Sequence, residues 1–294
     1  MTDTMSDTKI DTKADTVLVL GGTGKTGRRL VARLAARGVK VGAASRRPGE
    51  GLTLFEWGRR ETHGPALAGV GSVFLVAPEL VEDPTPLVDP FLDQARRAGV
   101  KRVVALSSTG VEFAGEPPDS GRRKLERLIM SSGLEWTILR LTGFAQNFSE
   151  GFLLPGILQA DAVVTAIGDG AVAYIDADDI AAVAAAALTE DGHGQATHVL
   201  TGPEPLTPAE VAAVIGRAAG RAIAHRDLPT HEMAHVLRGG GIPDDYAAML
   251  LRDMEGARKG LGSSVTDVVE RVTGRPATRF ADFAARAASA WSRP

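Results

Sequence analysis

From Val17 onward, short apolar runs alternate with longer stretches in which apolar residues recur every three or four positions. The short runs have the length of buried strands, and the longer stretches have the period of amphipathic helices. Strands are predicted at 17–20, 39–44, 52–57, 73–76, 102–106 and 137–139, and helices at 26–37, 86–98 and 121–132. This alternation predicts an α/β fold, a doubly wound parallel sheet covered by helices on both faces.

The pattern changes after about Thr201, where proline-punctuated helices replace the alternation. Helices are predicted at 208–220, 230–238, 244–255 and 267–273, with a last one at about 280–290. We therefore expect a sheet domain over 17–202 and a smaller, mainly helical domain over 203–294 that covers the carboxyl ends of the strands. Residues 1–16 repeat an Asp-Thr unit and contain few apolar side chains, which predicts a disordered tail.

Composition excludes several classes of function. A net charge of −3 with scattered arginine pairs favours no nucleic-acid partner, and the longest apolar run, 180–188, is too short to span a bilayer. The absence of cysteine excludes disulfides and thiolate chemistry and is typical of a cytoplasmic protein. We expect a cytoplasmic monomer or homodimer that acts on a small molecule, with no nucleic acid and no membrane as partner.

A glycine-rich turn links the first predicted strand to the first predicted helix. Its spacing is G-x-x-G-x-x-G, with Gly21 for the tight turn, Gly24 for close approach of a ligand and Gly27 for helix packing. A helix that begins at such a turn presents its N–H groups to a pyrophosphate. The predicted cofactor contacts here are Gly21, Thr23, Gly24, Lys25, Thr26 and Gly27. An ordinary strand-to-helix turn is the alternative.

Two other motifs are present only in part. Gly24-Lys25-Thr26 ends like a nucleotide-triphosphate loop, but Val19 stands where that motif needs its first glycine. The segment 231–235 reads H-E-x-x-H, a zinc-protease pattern, yet the expected third ligand is replaced by Gly241. No metal site is therefore predicted.

The end of the second strand indicates which dinucleotide binds. A site that prefers NAD(H) places a carboxylate here, whereas this chain has Ser45, Arg46 and Arg47, with no carboxylate before Glu50. A guanidinium pairs well with a 2′-phosphate. NADP(H) is the preferred cofactor on this reasoning and NAD(H) remains possible, with Ser45 and Arg46 as contacts. The alternative is that the arginines only solubilise a loop.

Several further segments carry a family resemblance. They are 21–27, 55–57, 73–78, 131–140, 146–148, 174–181, 200–203 and 273–276. Together they resemble the NmrA-like atypical short-chain dehydrogenase/reductase family, in its bacterial quinone-reductase-like and ergot-alkaloid-reductase-like branch.

The resemblance implies a Rossmann domain with a smaller C-terminal α/β substrate domain. It implies that 150–170 contributes to the substrate side, that 174–188 returns to the Rossmann part, and that Ala77 and Pro78 lie against NADP(H). It also implies an NAD(P)H-dependent oxidoreductase or a cofactor-sensing regulator.

The chain lacks the proton relay of classical short-chain dehydrogenases, a Tyr followed four residues later by a Lys. Only two tyrosines are present: Asp178 follows Tyr174 at that spacing, and Leu250 follows Tyr246. Tyrosine-dependent carbonyl reduction is therefore not predicted, because the Lys is needed to lower the phenol pKa.

Two polar side chains remain as catalytic candidates. Ser107 ends the fifth strand, where it can touch the nicotinamide or a substrate oxygen. Lys124 falls near the position of a lysine in the isoflavone-reductase-like branch. The alternative places the basic residues on a wet helix face, with Arg122 paired to Glu126 at i,i+4.

Hydride transfer to an electron-poor acceptor needs no protein acid. Phe113, Phe144, Phe148 and Phe152 are the predicted walls of a flat apolar pocket, with core packing as the alternative for each. The predicted function is NADPH-dependent hydride transfer to a small aromatic or conjugated acceptor of quinone, enone or imine type, within secondary metabolism. The alternative is a non-catalytic NADP(H)-binding redox sensor.

Overall fold

A computed structural model describes residues 16–292 of the chain. The predicted tail lies outside the described residues, except for Thr16, which begins the first strand. The strands are β1 Thr16–Val19, β2 Val41–Ser45, β3 Leu52–Leu54, β4 Val70–Leu75, β5 Arg102–Ser108, β6 Glu135–Leu141, β7 Ala162–Thr165, β8 Ala196–Leu200 and β9 Ala224–Asp227. The α-helices are α1 Lys25–Ala36, α2 His63–Leu67, α3 Thr85–Arg97, α4 Gly121–Met130, α5 Asn147–Glu150, α6 Leu154–Ala160, α7 Ala177–Thr189, α8 Pro208–Ala219, α9 Thr230–Gly239, α10 Asp244–Arg258, α11 Val268–Thr273 and α12 Phe280–Ala287.

Seven strands form one sheet in the order β3-β2-β1-β4-β5-β6-β8, and every neighbouring pair is parallel. Alternate residues of β1 point to opposite faces: Leu18 packs in the cluster with α3 and α4, and Val17 and Val19 pack in the cluster with α1 and α7. The predicted doubly wound parallel sheet is confirmed. All seven carboxyl ends share one edge, and the strand order reverses between β1 and β4, which is where such sheets bind ligands.

Helix α7 is buried along nearly its whole length. Its alanines are small enough to let it pack closely against α1 and α11, so even an uninterrupted apolar run serves here as core. No helix within residues 16–292 is long and apolar enough to cross a membrane.

A third apolar cluster lies away from the seven-stranded sheet. It combines Phe148, Ile157 and Val163 with residues of α8, α9, α10 and α12 and with Trp291. Strand β7 pairs with β9 in a separate two-stranded sheet within this part of the chain. Residues of 150–170 therefore share a core with the C-terminal helices. That they contribute to the substrate side, and that the domains divide at residue 202, stay predictions.

Several elements of the fold differ from expectation, and helices α2, α5 and α6 are among those that were not predicted. Strands β7, β8 and β9 were not predicted, and β9, with the sequence AHRD, has no apolar alternation that would mark a strand. Helix α11 was assigned to the C-terminal domain, but Val268 and Val269 are buried in the sheet-face cluster with α7. A six-residue helix has too short an apolar face for the sequence to predict which element it packs against.

Candidate cofactor site and active site

The glycine turn has the geometry of an anion cradle. Gly21 has φ +64°, and a Cβ on Gly27 would lie 2.0 Å from the Gly21 carbonyl oxygen, so a side chain at Gly27 would break the turn. Gly24 is the N-cap of α1, and within the described range no side chain caps this helix. Its first-turn N–H groups are thus open to a ligand, and the turn fits a pyrophosphate.

Lys25 turns toward the segment after β6. Its Nζ donates to Asn147 Oδ1 at 3.0 Å and lies 6.0 Å from the ring centre of Phe144. Burial lowers the pKa of this ammonium, while the charge of Glu150 opposes that effect. The structure therefore joins the glycine turn to a predicted pocket residue, Phe144.

Arg46 projects into solvent just beyond β2, with 76% of its side chain exposed. Its Nη2 lies 3.8 Å from Oε2 of Glu79, which follows Ala77 and Pro78 in the loop after β4. The two loops thus approach each other across the switch point of the sheet. An exposed ion pair of this kind contributes little stability, so the guanidinium can exchange Glu79 for a phosphate. Glu79 was missed by sequence reasoning because nothing local marks it.

Ser107 lies at the carboxyl end of β5 and belongs to a partly buried hydrogen-bond network. Its Oγ donates to Glu126 Oε1 at 2.5 Å. Arg140 of β6 donates to the same carboxylate, from Nε to Oε1 at 3.0 Å and from Nη2 to Oε2 at 2.6 Å, and also pairs with Glu112. Glu126 is only 5% exposed.

The Arg122–Glu126 pair, which was part of the alternative explanation for the basic residues of α4, is therefore wrong, since Glu126 faces the sheet. A sequence signal for this was available. Glu126 stands beside Leu125 and three residues before Ile129, on the apolar stripe of α4, and a carboxylate on such a stripe needs a buried partner.

Arg122 is also largely buried and not solvent-exposed, with 10% of its side chain exposed. It donates to Glu116 from Nε at 2.6 Å and to Asp253 of α10 from Nη2 at 2.8 Å. A Cβ on Gly110, just after β5, would lie 2.3 Å from the Asp253 carboxylate, so glycine lets α10 come close. These contacts hold α10 against the segment between β5 and α4.

The ionisation of Glu116 follows from this pairing. Burial alone would raise the pKa of its carboxyl group. Hydrogen bonds from Arg122 and Ser120 and the charges of Arg122 and Arg252 outweigh burial and hold the pKa at about 2. Glu116 therefore stays charged at neutral pH.

Lys124 points away from this network. Its Nζ donates to Asp83 Oδ2 at 2.9 Å, and that hydrogen bond raises the pKa of the ammonium. The side chain is partly exposed, as a wet helix face would place it. A catalytic role for Lys124 stays a prediction.

The four predicted pocket phenylalanines do not form one wall. Phe148 is 0% exposed, and its ring lies 5.0 Å from that of Tyr174 and 5.5 Å from that of Phe280, so it is a core residue. Phe152 is 39% exposed. Phe113 and Phe144 are half-buried, Phe113 against Gly256 of α10 and Phe144 beside Lys25.

Neither tyrosine has the environment of a proton relay. Tyr174 is buried among apolar side chains, and burial raises its pKa. Tyr246 lies on α10, where burial and then the charges of Asp253 and Glu79 raise its pKa. Both phenols stay protonated at neutral pH.

The H-E-x-x-H residues lie on α9. His231, Glu232 and His235 are all exposed there. Across the residues that the structure describes, no group of three or more His, Asp or Glu side chains is placed to hold a metal ion.

Comparison with known proteins places this geometry in context. A sequence profile of the NAD(P)H-binding family matches residues 21–191, from the glycine turn to the end of α7. The chain belongs to this family. The uncharacterized oxidoreductase YesF of Bacillus subtilis is 40% identical over 280 residues, which cover 94% of this chain and 96% of that protein. An NAD(P)H azoreductase of Xenophilus azovorans is 34% identical over 94% of this chain and 99% of its own.

A solved structure of an NADPH-dependent quinone oxidoreductase from Escherichia coli, complexed with NADPH, has the same fold. Its TM-score is 0.78 at 24% identity, covering 92% of this chain and 99% of that one. The predicted family resemblance, the Rossmann fold and the assignment as an NAD(P)H-dependent oxidoreductase are confirmed.

Proposed function

We propose that the protein transfers hydride from NADPH, in preference to NADH, to a small aromatic or conjugated acceptor such as a quinone, enone or imine. The observation that carries the cofactor preference is the exposed Arg46 guanidinium beyond β2, facing the loop after β4 across the switch point. A 2′-phosphate is the group that an arginine at this place recognises.

The site residues divide the work of binding. The first turn of α1 binds the pyrophosphate, and the residues around it are Gly21, Thr23, Gly24, Lys25, Thr26 and Gly27. Ser45 and Arg46 bind the adenosine end of the cofactor. Ala77 and Pro78, after β4, and Ser107, at the end of β5, lie along its remaining length. When bound, NADPH supplies the hydride. The Arg122–Asp253 contact holds α10 against the segment that follows β5.

The class of acceptor follows from what the chain lacks. Because the chain has no Tyr–Lys pair, the acceptor has to be one that accepts hydride without proton donation from a protein acid. Quinones and conjugated alkenes are acceptors of this kind. Relatives named as an azoreductase and a quinone oxidoreductase support the same class. Phe113, Phe144 and Phe152 offer aromatic surface for it.

The test is oxidation of NADPH, followed by its absorbance, with a panel of quinones, an azo dye and enones. We expect turnover with at least one class, and we expect Arg46→Ala to raise KM for NADPH by about tenfold or more while KM for NADH changes little. Arg47→Ala is the matched control, because it removes an equal charge one residue away. Equal effects of both variants would contradict the role of Arg46, and cofactor binding without turnover across the panel would favour the redox sensor.

A further inference from the structure

The hydroxyl group of Ser107 already donates its hydrogen bond to Glu126. In the parallel register of β5 and β6, Ser107 lies beside Arg140, so both side chains project from the same face of the sheet, toward Glu126 of α4. The Glu126 carboxylate accepts from both residues. A carboxylate has no proton to donate, so the hydrogen of Ser107 points at Glu126.

This orientation decides what Ser107 can offer to the crevice. A serine hydroxyl has one hydrogen and two lone pairs. With the hydrogen directed at Glu126, Ser107 presents lone pairs and therefore accepts hydrogen bonds. It is mismatched with a quinone or enone oxygen, which also accepts, and matched with the NH2 group of a nicotinamide carboxamide.

We propose that Glu126 is a positioning residue that fixes Ser107 as an acceptor for the carboxamide NH2 of the nicotinamide, and so orients the ring at the end of β5. The proposal rests on the proposed use of NADP(H). Arg140 supports the arrangement, since its two hydrogen bonds keep the carboxylate in place inside the protein. Ser107 is then a cofactor-orienting group and not the proton donor.

A purely structural role is the competing explanation, in which Glu126 and Arg140 only join α4 to β6. The chain provides a matched control, because Arg140 also pairs with Glu112, an exposed carboxylate that does not contact Ser107. Glu112→Gln disturbs the arginine alone, whereas Glu126→Gln also removes the anionic acceptor of the serine.

The experiment measures binding by calorimetry with two ligands, NADP⁺ and 2′-phospho-ADP-ribose, which lacks the nicotinamide. We expect Glu126→Gln and Ser107→Ala each to weaken NADP⁺ binding by about tenfold and to leave 2′-phospho-ADP-ribose within about twofold. The double variant should be no weaker than Ser107→Ala, and Glu112→Gln should bind both ligands normally.

Glu126→Asp provides a second variant should the glutamine protein fail to fold, because it keeps the charge for Arg140 but shortens the reach to Ser107. We expect the same nicotinamide-selective loss. Equal weakening of both ligands, unchanged NADP⁺ binding, or additive effects in the double variant would overturn the proposal. The readout needs no electron acceptor, so absence of turnover would count against the proposed function alone.

Discussion

Replacing the buried Glu116 by glutamine should lower the free energy of unfolding by about 3 kcal/mol at pH 7. The magnitude comes from the ion pair with Arg122. The pKa of Glu116 falls from an ordinary 4.5 to about 2 in the folded protein, and each factor of ten in a protonation equilibrium corresponds to about 1.36 kcal/mol.

The sign of the pH dependence follows from the depressed pKa. The contribution of Glu116 is complete above pH 4.5 and is lost as the pH falls toward 2, because the unfolded chain takes up the proton first. Roughly 1.4 kcal/mol of it should already be gone at pH 3.5. The difference between wild type and Glu116→Gln should therefore stay constant from pH 7 to about pH 5 and shrink below that.

Urea unfolding followed by circular dichroism at several pH values measures this difference. Asp93→Asn is the control, because the pairs of Asp93 with Arg96 and Arg97 are exposed and their loss should change stability by less than about 1 kcal/mol. A Glu116→Gln difference below about 1 kcal/mol at pH 7, or one that is the same at pH 3.5, would refute the reasoning.

Three further predictions concern the site and its surroundings. Gly27→Ala should abolish NADP⁺ binding in calorimetry, because its Cβ would lie 2.0 Å from the Gly21 carbonyl oxygen; retained affinity would contradict the cradle. Phe148→Ala should cost about 3–5 kcal/mol in urea unfolding and Phe152→Ala less than about 1, and similar losses would contradict their different burial. Lys124→Met tests the catalytic role predicted for Lys124: its salt bridge to Asp83 leads us to expect kcat within about twofold of wild type, and a large fall in kcat would support a role as proton donor.

Local patterns were enough to predict strands β1 to β6 and helices α1, α3 and α4. The alternation of apolar runs and helical stripes gave the order of β1 to β6 correctly because buried strands and amphipathic helices each have a period that needs no knowledge of partners. The glycine turn was equally readable, since the positive φ of Gly21 and the crowding at Gly27 are properties of a few consecutive residues. Strand β9 was not predicted because its four residues are mostly polar.

The ion-pair partners of charged side chains could not be predicted from local sequence patterns. Arg122 and Glu126 have the spacing of a helical pair, yet Arg122 bonds Asp253, 131 residues away, and Glu126 bonds Arg140 of β6. Which partner a buried charge takes depends on which helix packs over it, and that is a property of the whole fold.

The sequence by itself determined the strand–helix alternation, the glycine turn before α1 and the position of the arginine beyond β2, because these depend on neighbours along the chain. Only the tertiary structure decided that Phe148 is core, that α10 is held against the segment after β5, and that Ser107 donates its hydrogen to Glu126. Burial and hydrogen-bond direction arise from contacts between distant segments, and these form only when the sheet and its covering helices are assembled.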